Sequence, residues 1–135
     1  MKKSVVVSSP EINLRKASKI MAEMNIGSLV IVENEKPIGI VTSTDILKAI
    51  SENKDVDSTL VKQIMSSPVI TIDPSQTLEE AVEIMVKNNI KRLVVLEGEK
   101  IVGIISASDI ISVEPKLIQQ LSKLMVLKLP GYSGG

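Results

Sequence analysis

The sequence predicts an α/β protein of the α+β kind: two repeated β-α-β-β-α units, packed sheet to sheet with pseudo-two-fold symmetry. Three observations carry this expectation. The octet Gly39-Ile40-Val41-Thr42-Ser43-Thr44-Asp45-Ile46 returns, 64 residues on, as Gly103-Ile104-Ile105-Ser106-Ala107-Ser108-Asp109-Ile110. With that offset the halves align without a gap from Ser4/Pro68 to Leu47/Ile111, and identities such as Leu14/Leu78, Ala17/Ala81, Met21/Met85 and Asn25/Asn89 spread through the unit. Within each copy, β-branched runs alternate with a segment of helical period.

The first strand of each copy is read from Val5-Val6-Val7 and from Val69-Ile70-Thr71-Ile72. Pro10 and Pro74 break the chain, and a helix follows. Leu14, Ala17, Ile20, Met21 and Met24 form its inner face in the first copy; Leu78, Ala81, Val82, Met85 and Val86 form it in the second. The methionines at 21, 24 and 85 read as core filler. Thr77 with Glu80 predicts a capping box, and Asn25 and Asn89 stand where a left-handed residue should end each helix. Leu29–Val32 and Leu93–Leu96 are continuous apolar runs, the mark of strands covered on both faces. Polar links lead to return strands at Ile38–Val41 and Ile101–Ile105. The repeated octet then passes from strand to helix, Asp45 to about Ser51 and Asp109 to about Val113.

Glu52–Ser58 reads as a solvated charged linker and Leu60–Met65 as a short helical entry to the second copy. Pro115 fits the first turn of a last helix carrying Leu117, Ile118, Leu121, Leu124 and Met125. The expected division is 1–58, 59–113, a C-terminal helix over 114–129, and a tail over 130–135 with nothing of its own to order it. Each unit of about 60 residues is small for an independent core, so the two are expected to cover each other.

Composition narrows the function. The 135 residues carry 16 basic and 16 acidic side chains, and 44% are hydrophobic. Zero net charge disfavours a protein that coats nucleic acid or an anionic membrane. With no His or Cys, the commonest general base, metal ligand and thiolate nucleophile are missing. Tyr132 is the one aromatic residue, so single-stranded nucleic acid finds no stacking platform. No apolar run reaches the roughly 20 residues of a membrane span, and no signal-peptide pattern is read. The expectation is a cytoplasmic protein with no catalytic residues, no metal, no nucleic-acid partner and no membrane partner.

Gly39/Thr42/Asp45 and Gly103/Ser106/Asp109 both meet the pattern Gly, hydrophobic, any residue, Thr or Ser, two residues, Asp. Together with IleMetSerSerPro at 64–68 and LysArgLeuValValLeu at 91–96, they make the chain resemble a tandem pair of CBS domains, or Bateman module, over residues 4 to about 113. The resemblance implies a regulatory module that senses adenosine compounds in two clefts, with no cofactor required and AMP, ADP, ATP or an S-adenosylmethionine-like compound as the expected ligand. The motif Asp accepts from the ribose hydroxyls, the hydroxyl residue and helix start face a phosphate, and the adenine lies among aliphatic side chains.

By that resemblance cleft A uses Thr42, Ser43, Thr44 and Asp45 with Val69, Ile70, Thr71 and Arg92. Cleft B uses Ser106, Ser108 and Asp109 with Val5, Val6, Val7 and Ser28. Arg92 is the basic residue that reaches the phosphate in relatives, and its counterpart Ser28 cannot do so, so cleft A is expected to hold a nucleotide phosphate more tightly. Two readings of the Thr-x-x-Asp turns stand side by side: a ligand site, or a helix cap in which the hydroxyl and the acid serve the backbone. The last helix likewise either covers its own sheet or makes a dimer contact, and the resemblance favours a homodimer. The alternative function is a dimerisation or docking module whose clefts bind no nucleotide; an unidentified regulated protein is the further partner.

Overall fold

The computed structural model describes residues 5–122. They fall into two compact units, Val5–Val69 and the chain from Ile70 on. Each holds a three-stranded sheet.

In the first unit β1 (Val7–Ser8) runs parallel to β2 (Ser28–Glu33), which pairs antiparallel with β3 (Lys36–Thr42). Helix α1 (Leu14–Met24) crosses between the parallel strands, and α2 (Ser43–Ser51) follows β3. The second unit repeats this order: β4 (Thr71–Ile72), α3 (Leu78–Asn88), β5 (Arg92–Glu97), β6 (Lys100–Ser106) and α4 (Ala107–Val113). Even the irregularities recur. The β2–β3 register skips at Ile38 and the β5–β6 register at Val102, so each return strand carries a bulge directly before the motif glycine.

Local chemistry explains the helix limits. The Asn13 side chain accepts from Lys16 N at the start of α1. Thr77 and Glu80 form the expected capping box on α3. Asn25 (φ 54°) and Asn89 (φ 53°) close α1 and α3 in the left-handed region. The core of the first unit gathers Leu14, Ala17, Met21, Leu29, Ile31 and Val41; that of the second gathers Ala81, Val82, Met85, Leu93, Val95 and Ile110.

Several expectations need correction. The first strands are shorter and later than Val5–Val7 and Val69–Ile72, because pairing with β2 and β5 starts only at Val7 and Thr71. Val6 and Ile70 contribute a single carbonyl each, accepting from Val30 N and Val94 N. Met24 is 55% exposed rather than core: it ends α1 beyond the sheet, where its counterpart is the exposed Asn88. Helices α2 and α4 begin at Ser43 and Ala107, since Asp45 and Asp109 occupy the third helical position and not the first.

The entry at 60–65 is one 3-10 turn, Val61–Gln63. After α4 comes a 3-10 turn at Pro115–Leu117 and then α5 (Ile118–Leu121), with Leu117 and Leu121 buried and Ile118 37% exposed. The expected helical stripe beyond Ser122 and the tail at 130–135 lie outside the described residues.

The linker 52–58 is more than a solvated surface. Arg15 donates from Nε and an Nη to the two Asp57 carboxylate oxygens at 2.5 and 3.1 Å, and Arg15 N and Leu14 N donate to Val56 O and Thr59 O. The linker and the residue after it thereby supply acceptors for amides that the first turn of a helix leaves unpaired.

Candidate functional site

The two motif turns are built alike. At the β3–α2 junction Thr42 has φ −112° and ψ 164°, extended backbone that places its hydroxyl over the first helical turn. Asp45 N donates to Thr42 Oγ1 at 3.1 Å, and Thr42 N donates to Asp45 Oδ2 at 2.9 Å. At the β6–α4 junction Asp109 N donates to Ser106 Oγ at 3.0 Å and Ser106 N to Asp109 Oδ2 at 3.3 Å. Both turns are therefore capping boxes.

The caps use only part of each group. Among the described residues, Asp45 Oδ1 and Asp109 Oδ1 accept no hydrogen bond. A hydroxyl that accepts from an amide also keeps its own proton to donate. Both aspartates are half-buried, while Ser43, Thr44 and Ser108 are exposed. The arrangement offers a fixed carboxylate oxygen to hydroxyl donors and a hydroxyl with a helix start to an anion.

A backbone hook fixes each turn to its own sheet. Ser43 N donates to Gly27 O at 3.0 Å, and Ala107 N donates to Lys91 O at 2.8 Å. The antiparallel register sets Ser28 opposite Thr42 and Arg92 opposite Ser106. Each unit thus brings together one residue expected in each cleft: Ser28 beside the Thr42 turn, Arg92 beside the Ser106 turn. Among the described residues Arg92 makes no salt bridge. Thr71 pairs with Val94 in the sheet and Val7 with Val30; Val5, Val6, Val69 and Ile70 are half-buried.

The motif glycine has a structural reason that sequence reasoning missed. The segment Ile64–Ser66 crosses β3, with Ile40 N donating to Ser66 O at 3.0 Å and Ser66 N to Ile40 O at 2.9 Å. A Cβ on Gly39 would stand 2.8 Å from Met65 Cγ and closer still to its Sδ. The signal was present in the IleMet pair at 64–65, but nothing in its spacing says which strand it crosses.

No group of His, Cys, Asp and Glu suited to a metal occurs among the described residues. The perturbed acids lie away from the motif turns. Asp57 is held below the usual carboxylate range by its hydrogen bond from Arg15, and Asp73 by the Ser75 hydroxyl and then the Ser75 amide. A cavity of about 560 Å³ between α3 and α5 is lined by Val82, Glu83, Val86, Lys87, Gln119 and Gln120, none of them an expected site residue.

A duplicated strand–helix–hairpin–helix unit, with a half-buried aspartate capping the helix after each hairpin, defines a tandem α+β module. The chain belongs to the CBS domain family, whose model matches residues 1–52 and 61–116. It is 37% identical over 92% of its length to the uncharacterized protein MK0525 of Methanopyrus kandleri, and it spans 65% of that relative. Among solved structures it resembles the CBS domain pair of protein MJ0100 in complex with 5′-methylthioadenosine and S-adenosyl-L-methionine, with TM-score 0.75 and 30% identity, covering 86% of this chain and 92% of that one. It also resembles the CBS domain protein PAE2072 from Pyrobaculum aerophilum complexed with AMP, with TM-score 0.76 and 25% identity, covering 90% and 95%.

Proposed function

We propose that the chain is a regulatory module that binds an adenosine compound, AMP or a relative such as ATP or S-adenosylmethionine, at its two motif turns. The observation that carries this reading is the half-committed aspartate. Asp45 and Asp109 each give one oxygen to the helix cap and keep the other, half-buried and already oriented, for a ribose. Similarity to CBS pairs solved with adenosyl ligands supports the choice of ligand class. One site is assigned Thr42, Ser43, Thr44 and Asp45 with Val69, Ile70, Thr71 and Arg92. The other is assigned Ser106, Ser108 and Asp109 with Val5, Val6, Val7 and Ser28.

In this reading the module does no chemistry itself. It works in the cytoplasm as a homodimer, for which Leu47, Ile50 and Val113 offer exposed apolar surface (66%, 48% and 68%), and it passes ligand occupancy to a regulated protein partner. Thermal melting tests it: millimolar AMP, ADP, ATP, NAD or S-adenosylmethionine raises Tm through binding to the native state. Titration of AMP into Arg92→Ala shows a loss of about tenfold or more, the scale of one charge-assisted contact; unchanged affinity removes Arg92 from the site.

The second reading, a docking or dimerisation module without a ligand, draws on the completeness of the two capping boxes, which account for both motif turns without a ligand. Melting that no adenosyl compound shifts would establish it.

A further inference from the structure

The second unit holds a cavity of about 160 Å³ under the start of α3, and its walls are aliphatic: Ile72, Pro74, Leu78, Ala81, Val95 and Ile105. Gln76 and Thr77 complete the lining, but their polar atoms are already engaged. Gln76 Oε1 accepts from Asp73 N at 2.9 Å and its Nε2 donates to Glu80 Oε2 at 3.4 Å. The Thr77 hydroxyl accepts from Glu80 N at 3.1 Å and donates to Glu80 Oε1 at 3.2 Å. Pro74 and Thr77 are exposed, which puts the mouth at the loop before α3. None of these residues is assigned to a motif turn, and none of the described residues beyond β6 lines the cavity.

The first unit shows what such walls pack around. Leu14, Ala17, Ile31 and Val41 hold the positions of Leu78, Ala81, Val95 and Ile105 in the aligned halves, and they share one core cluster with Val61, all five fully buried. Val61 N donates to Ile12 O at 2.9 Å, which fixes that residue beside the start of α1. Leu78, unlike Leu14, is only half-buried. We propose that the cavity in the second unit is a ligand site, separate from the motif turns, for a small, uncharged, hydrocarbon-like molecule of about five or six carbons. An apolar cavity of about 150 Å³ stays dry and takes a guest the size of benzene. Because the polar rim is satisfied within its own loop, recognition is by shape and apolar contact. A charged or strongly polar guest would lose its hydration there and find no partner in return.

Methyl-labelled full-length protein, titrated with benzene and separately held under xenon pressure, tests the proposal. Saturable shifts are expected at the Ile72, Leu78, Val95 and Ile105 methyls, with half-saturation by benzene near about 1 mM, the scale for so few non-hydrogen atoms. The methyls of Leu14, Ile31 and Val41 are expected to stay unshifted in the wild type and to respond in Val61→Ala, which removes the side chain packed among them. Ala81→Leu fills the cavity and is expected to weaken benzene binding about tenfold or more. Leu78→Phe gives the same loss from a half-buried position, without touching the fully buried Ala81. Shifts that are absent, that grow without saturating, or that survive these substitutions overturn the proposal.

Discussion

At the residue scale the cap and the proposed ligand contact are compatible. Thr42 and Asp45 do cap α2, yet capping takes one carboxylate oxygen and one hydroxyl lone pair, so the cap and the proposed ligand contact draw on different atoms. Glu35 carries the clearest local cost. With Asn34 it turns the β2–β3 hairpin at φ 52° and 66°, a pair of left-handed conformations that suit Asn-Gly and cost a glutamate about 1–2 kcal/mol. Glu35→Gly is therefore expected to stabilise the protein by roughly 0.5–1 kcal/mol once glycine's greater chain entropy is deducted, read as a higher urea midpoint. The corresponding turn Glu97-Gly98-Glu99-Lys100 has glycine at the first place, φ 65°, and its Glu99 does not adopt the left-handed conformation that Glu35 takes.

Asp57 gives a pH prediction of definite sign. Its folded pKa lies below the ordinary aspartate value because Arg15 donates to it, so its contribution to stability is complete above about pH 4 and is lost as pH falls through the depressed value. Asp57→Asn should flatten the acid limb of the stability curve, and an unaltered limb would show that the exposed pair contributes nothing measurable.

At the element scale the four hydroxyl or amide caps on α1–α4 explain where the helices begin, and they were legible wherever the sequence showed a pair three residues apart. Thr77→Ala removes a cap remote from the motif turns and should cost about 1 kcal/mol with no change in ligand affinity. Thr42→Ala should cost a similar amount and also weaken AMP. Equal affinities for the two variants would assign Thr42 to capping alone. The strand limits were less legible. Val5–Val7 has the composition of a strand, but pairing partners, not composition, decide where a two-residue parallel strand starts. Gly39 belongs to this scale as well. Gly39→Ala forces a methyl into Met65 and should destabilise by about 1–3 kcal/mol, and Met65→Ala should relieve most of that penalty in the double variant.

At the scale of the whole molecule, duplication makes a comparison possible inside one chain. Leu29 and Leu93 occupy matching positions, each fully buried in its own core. Leu29→Ala and Leu93→Ala are expected to cost similar amounts, in the range of about 2–5 kcal/mol, by chemical denaturation. A much smaller penalty at Leu93 would mean that the cavity under α3 lets the second core relax. The sequence by itself determined the duplication, the order of elements, the helix caps and the identity of the motif residues. These follow from period, spacing and side-chain type, which are local properties. Only the tertiary structure decided that Met24 faces solvent, that Arg92 lies opposite Ser106, that the charged linker fastens the first turn of α1, and that Met65 crosses Gly39. Each of these depends on which distant backbone comes near, and packing sets that distance where no local pattern records it.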